Sequence, residues 1–148
     1  MNQPKTKVLF LCTGNSGRSQ MAEADLRHYA GDRYEAHSAG LDPKGINPYT
    51  MRVMEEVGIS LDEQSSKSVS TYLGQINFGW LITVCSHAEE NCPRTFLGVS
   101  QRIHWNDLED PAAFVGGDEE RLQVFRTVRD QIDNHVQAWL VEQGEKIQ

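Results

Sequence analysis

Short apolar runs alternate along this chain with segments of helical spacing, and that alternation leaves few folds open. Lys7-Val8-Leu9-Phe10-Leu11 and Trp80-Leu81-Ile82-Thr83-Val84-Cys85 are continuous apolar runs with β-branched and aromatic members, the signature of strands buried on both faces. Tyr34–Gly40 and Arg102–Trp105 read as two further strands. Between them, Gln20–Ala30 carries Ala22, Leu26, Tyr29 and Ala30 at helical spacing with Gly31 as a stop, and Asn47–Val57 repeats the pattern before Gly58. Ile59–Val69 reads as a loop, followed by a short helix near Ser68–Ile76. The last segment predicts a long helix from Asp118, with the stripe Leu122, Phe125, Val128, Ile132, Val136, Trp139 and Leu140. Strands separated by helices require right-handed crossovers. The expected fold is therefore α/β, a three-layer sandwich with a four-stranded parallel sheet and helices on both faces, built as one domain over residues 1–148. Folds of this kind bind ligands at the carboxyl edge of the sheet, where Cys12 and Cys85 both fall.

The first strand runs straight into Cys12-Thr13-Gly14-Asn15-Ser16-Gly17-Arg18-Ser19, and the first helix follows. Backbone N–H groups of such a loop and of a helix N-terminus converge on one concave space, which suits an oxyanion. They also favour a thiolate, so the thiol of Cys12 is expected to be more acidic than usual. Arg18 supplies a bidentate fork for a tetrahedral anion, and Ser19 is placed to hydrogen-bond the sulfur. Thr13, Gly14, Asn15, Ser16, Gly17, Arg18 and Ser19 are the expected oxyanion-binding residues, with Cys12 as nucleophile.

Composition narrows the partners. A net charge of −7 leaves no basic footprint for nucleic acid, and an acidic chain must bind an anion by local design. No apolar run approaches a membrane span and no signal-peptide core is visible, which predicts a cytoplasmic protein. Three cysteines argue against a disulfide framework and for reactive thiols.

The other two are Cys85 and Cys92, seven residues apart and followed by Pro93. On a regular helix they would share a face but stand about 10.5 Å apart. A disulfide needs Cα atoms within about 7 Å, so the pair bonds only if the segment is irregular or unwinds. The main reading is a dithiol that oxidises and is reduced in turn; two buried inert cysteines, or a metal site with His87 and His104, are the competing readings, and the spacing fits no common zinc pattern. Asp110 precedes Pro111, which pushes it out of helical geometry and lets its carboxyl project from a loop as a general acid, with Asp107 and Glu109 as neighbours. The histidines carry no assigned role.

Taken together, Cys12–Glu23, His37-Ser38-Ala39-Gly40, Cys85 with Cys92-Pro93, and His104-Trp105 leading to Asp110-Pro111 resemble the thioredoxin-coupled arsenate reductases, which share their fold with the low-molecular-weight protein tyrosine phosphatases. The resemblance covers nearly the whole chain. It implies that Cys12 attacks arsenate, that Arg18 and the loop amides hold the oxyanion, and that Asp110 helps an oxygen leave as water. It implies further that Cys85 attacks Cys12, and that Cys92 then takes over Cys85 to leave a disulfide for thioredoxin. Phosphate or sulfate would mimic arsenate; no bound cofactor is implied, and a monomer is expected. The alternative is phosphomonoester hydrolysis through a Cys12 phosphoenzyme, which needs neither Cys85 nor Cys92 and whose family usually has proline at Gln20. A third reading is a thiol-based binder of arsenite or metal. Two departures stand out. Both families commonly place a further cysteine at Gly17. Some reductases hold potassium through groups matching Asn15, Glu23, Ser38 and Ser65, but the remaining acidic ligand falls near Lys67 here, so no metal is expected.

Overall fold

The computed structural model describes residues 4–72, 74–91 and 99–146. Its strands are β1 (Thr6–Cys12), β2 (Tyr34–Gly40), β3 (Phe78–Thr83) and β4 (Val99–His104), paired in parallel in the order β2-β1-β3-β4. The helices are α1 (Arg18–Ala30), α2 (Pro48–Glu56), α3 (Ser86–Asn91) and α4 (Asp118–Glu142). The expected α/β sandwich with a four-stranded parallel sheet is the fold observed. From β1 the chain crosses through α1 to β2 on one side, and from β3 through α3 to β4 on the other. Right-handed crossovers in opposite directions put α1 and α3 on opposite faces. They also open a crevice between the carboxyl ends of β1 and β3, where the strand order reverses.

The core explains the strand sequences. Val8, Leu9, Phe10 and Leu11 are fully buried, because β1 has a strand on either side and helices above and below. The buried residues of α4 are the seven of the predicted stripe, and α4 packs against α1 and α2. Edge-on contacts of Trp139 with Tyr34 and Trp80 fasten its last turns to β2 and β3. Among the described residues no helix is long and apolar enough to cross a membrane.

Boundaries differ from expectation at several elements. The run Trp80–Cys85 is not strand to its end: β3 starts at Phe78 and stops at Thr83. Val84 N–H still donates to Leu11 O at 2.9 Å, but the Cys85 carbonyl accepts from Glu89 N–H at 3.1 Å, so the chain has already turned into α3. Periodicity cannot see this, since both conformations bury the same apolar residues. The fourth strand begins at Val99, three residues before the expected start. Among the described residues of the helix expected near Ser68–Ile76, one 3-10 turn, Val69–Thr71, is formed, capped by the Ser68 hydroxyl. Gly74, at φ 72°, closes it off.

Candidate active site

Cys12 ends β1 opposite Gly40, the last residue of β2. Any Cβ at Gly40 would stand 2.5 Å from Thr13 O and 2.9 Å from Asn15 N, so only glycine lets β2 pass beneath the loop. The loop is then fastened from outside by its carbonyls. Leu41 N–H donates to Cys12 O (3.1 Å), Asp42 N–H to Thr13 O (2.8 Å), Lys44 N–H to Gly14 O (2.9 Å) and Asn47 N–H to Ser16 O (3.0 Å). The Gln20 amide donates to Asn15 O at 3.0 Å. In a planar trans peptide the N–H points opposite to the C=O. The amides of residues 13–17 therefore face inward, and that of Asn15 donates to Cys12 Sγ at 3.1 Å. Segment 41–47 and Gln20 thus dictate the anion cradle by capturing its carbonyls.

Asn15 takes the one strained conformation in the loop, φ 49°, which asparagine tolerates better than most residues. Its side chain is fully engaged. Oδ1 accepts from Lys67 N–H (2.8 Å) and the Gln20 amide (3.0 Å), while Nδ2 donates to Ser19 Oγ at 2.7 Å. Since Ser19 Oγ already accepts from Asn15, its hydroxyl proton is free for Cys12 Sγ, 2.9 Å away. The sulfur thus receives two donors.

Those donors do not win outright. Burial pushes the Cys12 thiol above its ordinary value, more than the Ser19 hydroxyl, the Asn15 amide and the Arg18 guanidinium pull it down, and the nearby Cys85 adds to the rise. The acidic thiol expected from sequence is thus reversed: loop chemistry is legible in the residues, but the burial of Cys12, 4 % exposed, is not. The Ser19 contribution is testable. Ser19→Ala removes a downward pull, so the pH midpoint for iodoacetamide alkylation of Cys12 is expected to move up by about one pH unit, as one charge-assisted hydrogen bond supplies. An unchanged midpoint would show that the hydroxyl does not donate to the sulfur.

A cavity of about 770 Å³ opens above the sulfur, lined among others by Thr13, Gly14, Ser16, Gly17, Arg18, Cys85 and Asp110. Asn15 and Ser19, both fully buried, do not line it and act from beneath the sulfur instead. Arg18 donates through Nη1 to Leu108 O at 3.1 Å, and its Nη2 lies 4.0 Å from Asp110 Oδ2. With Asp110 half exposed, that pair contributes little stability; its value is position. Asp110 Oδ1 accepts from Ala112 N–H at 3.0 Å, which holds the carboxyl at the rim. Asp107 is turned away, paired with His135 at 2.7 Å. Cys85, 6 % exposed, sits across the crevice with Sγ 3.4 Å from Thr13 Oγ1 and 3.4 Å from Ala88 N. Cys92 and Pro93 lie outside the described residues. A Cβ at Gly17 would meet only Thr50 Oγ1, at 3.5 Å, so this position has room for a larger residue.

Sequence reasoning missed the polar layer under the loop. The Gln20 amide also donates to Ser65 O (3.0 Å) and Gln20 Oε1 accepts from Gln64 (2.8 Å). The only hint was a fully polar residue where the resembling phosphatases carry proline. The cluster matching the potassium ligands is present but already holds a cation. Lys67 Nζ donates to Ser65 O at 2.5 Å and lies 3.8 Å from Glu23 Oε1, which accepts from Ser38 Oγ at 2.6 Å. With an ammonium there, these residues do not fit a potassium ion.

A buried sulfur in a cradle of inward amides, at the switch point of a doubly wound parallel sheet, has the geometry that a cysteine-dependent oxyanion enzyme requires. The chain belongs to the low molecular weight phosphotyrosine protein phosphatase family, whose profile matches residues 7–148. An arsenate reductase from Halalkalibacterium halodurans is 42 % identical over 135 residues, 91 % of this chain and 95 % of that protein. Two solved structures, an arsenate reductase in its phosphate-binding state and one in its oxidized state, each superpose with a TM-score of 0.77 at 31 % identity, over 93 % of this chain and 98 % of theirs.

Proposed function

We propose that this protein reduces arsenate to arsenite by a relay through Cys12, Cys85 and Cys92, with thioredoxin reducing the final disulfide. Cys12 thiolate attacks arsenic in the cradle, and an oxygen leaves as water with the proton of Asp110. Cys85 thiolate then attacks Cys12 Sγ; the As–S pair of electrons stays on arsenic, which departs as arsenite, and a Cys12–Cys85 disulfide forms. Cys92 thiolate attacks Cys85, and Cys12 leaves as thiolate. The protein works as a monomer and needs no bound cofactor.

The observation that carries this reading is Cys85 on the wall of the same cavity as Cys12, against the Thr13 side chain. Hydrolysis of a phosphomonoester has no use for a second sulfur there. The relatives named as arsenate reductases, one solved in an oxidized state, support it. The cradle itself cannot tell arsenate from phosphate, which share shape and charge. Selectivity is chemical, since As(V) accepts two electrons from thiols. A slow hydrolysis of aryl phosphates is accordingly expected as a side activity of the same residues.

Cys92→Ser is the deciding variant. With thioredoxin, its reductase and NADPH supplied, the parent protein should consume NADPH in proportion to arsenate. The variant should release one arsenite per chain and stop, with Cys12 joined to Cys85 in a peptide map. Continued turnover of the variant on thioredoxin would end the three-cysteine reading. Arsenate-independent hydrolysis as the only activity of the parent would leave a phosphatase.

A further inference from the structure

We propose that Lys67 is a positioning residue whose ammonium serves as a built-in cation, holding segment 64–68 in place beneath the oxyanion cradle. This rests on the reading of the Cys12 loop as an oxyanion site. Segment 64–68 is the floor of that loop. The Ser66 hydroxyl donates to Gly14 O at 3.2 Å, and Lys67 N–H donates to Asn15 Oδ1 at 2.8 Å. Lys67 O accepts at 2.8 Å from the N–H of Gly40, the glycine that lets β2 pass beneath the loop. Ser65 O accepts from the Gln20 amide at 3.0 Å, and that amide also captures Asn15 O. Each tie ends on a group that shapes the cradle. Yet no helix or strand runs through 64–67, so the segment has no ladder of its own to fix it.

The Lys67 side chain supplies what the ladder would. It turns back so that Nζ donates to Ser65 O at 2.5 Å, taking the second lone pair of the carbonyl that Gln20 uses. The same ammonium lies 3.8 Å from Glu23 Oε1 on α1. The Glu23 carboxylate is 5 % exposed; Oε1 accepts from Ser38 Oγ and the other oxygen is paired with Arg27. Arg27 reaches the same segment, donating to Gln64 Oε1 at 2.9 Å. Burial lowers the pKa of the Lys67 ammonium and Glu23 raises it, as for a charge kept inside by a partner. A buried carboxylate needs cations close by, and one removed from water is screened less than a surface pair. The attraction between α1 and segment 64–68 therefore carries through Ser65 and the Lys67 main chain to Asn15, the strained residue under the sulfur. Oxyanion binding then depends on a charge the chain itself carries, which gives the misfit with potassium a physical cause.

The test is chemical rescue in the full chain, with inorganic phosphate as the probe and calorimetry as the readout. Affinities are compared in tetramethylammonium chloride and in ammonium chloride at equal ionic strength. Lys67→Ala removes the cation and leaves a gap. It is expected to bind phosphate about tenfold more weakly in tetramethylammonium chloride, as loss of a charge-assisted hydrogen bond allows. Ammonium, small enough for the gap and able to donate to Ser65 O, should restore most of that loss. Lys67→Met fills the same space without charge; it should be as weak as the alanine variant and gain nothing from ammonium. The parent should bind equally in both salts. Thermal unfolding in the two salts covers a variant too unstable to titrate: ammonium should raise the midpoint of Lys67→Ala and leave the parent's unchanged. Three results overturn the built-in cation and leave the cradle standing: variants that bind phosphate as the parent does, an alanine variant that ammonium does not rescue, or a gain from ammonium shared by the parent and Lys67→Met. A parent that binds no phosphate in either salt ends the cradle reading, and the role of Lys67 with it.

Discussion

Cys12→Ser is expected to abolish arsenate-dependent turnover, a fall of about 10⁴-fold or more, as removal of a nucleophile from a preorganised site produces elsewhere. The fold should survive, because serine can keep the donors from Ser19 and the Asn15 amide that now serve the sulfur. What it cannot supply is an anion at neutral pH or a partner for a disulfide. The variant therefore separates binding from chemistry. Phosphate should still protect the loop from proteolysis, since the amides of residues 13–17 are turned inward by bonds to segment 41–47 and Gln20 that do not involve the sulfur. Loss of protection together with activity would show that Cys12 organises the cradle. Retained turnover would move the nucleophile elsewhere, and Cys85 would be the next candidate on the cavity wall.

Apolar patterning carried most of the fold. The seven buried positions of α4 are the stripe visible in the sequence, and β2 has its expected limits, because a parallel sheet covered by amphipathic helices writes its burial into period and composition. Part of the loop's geometry was also legible: Cys12 and Arg18 line one cavity, and Ser19 reaches the sulfur from beneath. Polar burial was not legible. On α1, Gln20, Glu23 and Asp25 are buried alongside Met21 and Leu26, which erases the contrast that periodicity reads. Asp25 is an extreme case: burial and the neighbouring Asp133 push its carboxyl up to about 8, so a residue that reads as a charged surface position sits inside as an acid. Such residues are placed by partners distant in sequence, like Glu89 by Thr83 and Arg102, and no local pattern announces them. The direction of the Cys12 shift failed for the same reason, since desolvation depends on everything packed around the sulfur.

Arg18→Lys is expected to lower kcat/KM for arsenate by about 10²–10³-fold, the cost of removing an aligned oxyanion donor, although the charge is conserved. Geometry requires this. Arg18 is held by Leu108 O at one nitrogen and stands 4.0 Å from Asp110 at another, so its guanidinium plane is set over the cavity before substrate arrives. A lysine ammonium is one point charge on a flexible stem; it cannot hold Leu108 O and fork two oxygens together. The chain's net charge of −7 sharpens the contrast, because nothing at long range compensates for a local donor that is lost. If charge alone mattered, the lysine variant would keep its activity within a few-fold and phosphate would inhibit it as well as the parent. If the fork matters, kcat falls and phosphate inhibition weakens together, while the alkylation midpoint of Cys12 moves little because one positive charge remains near it.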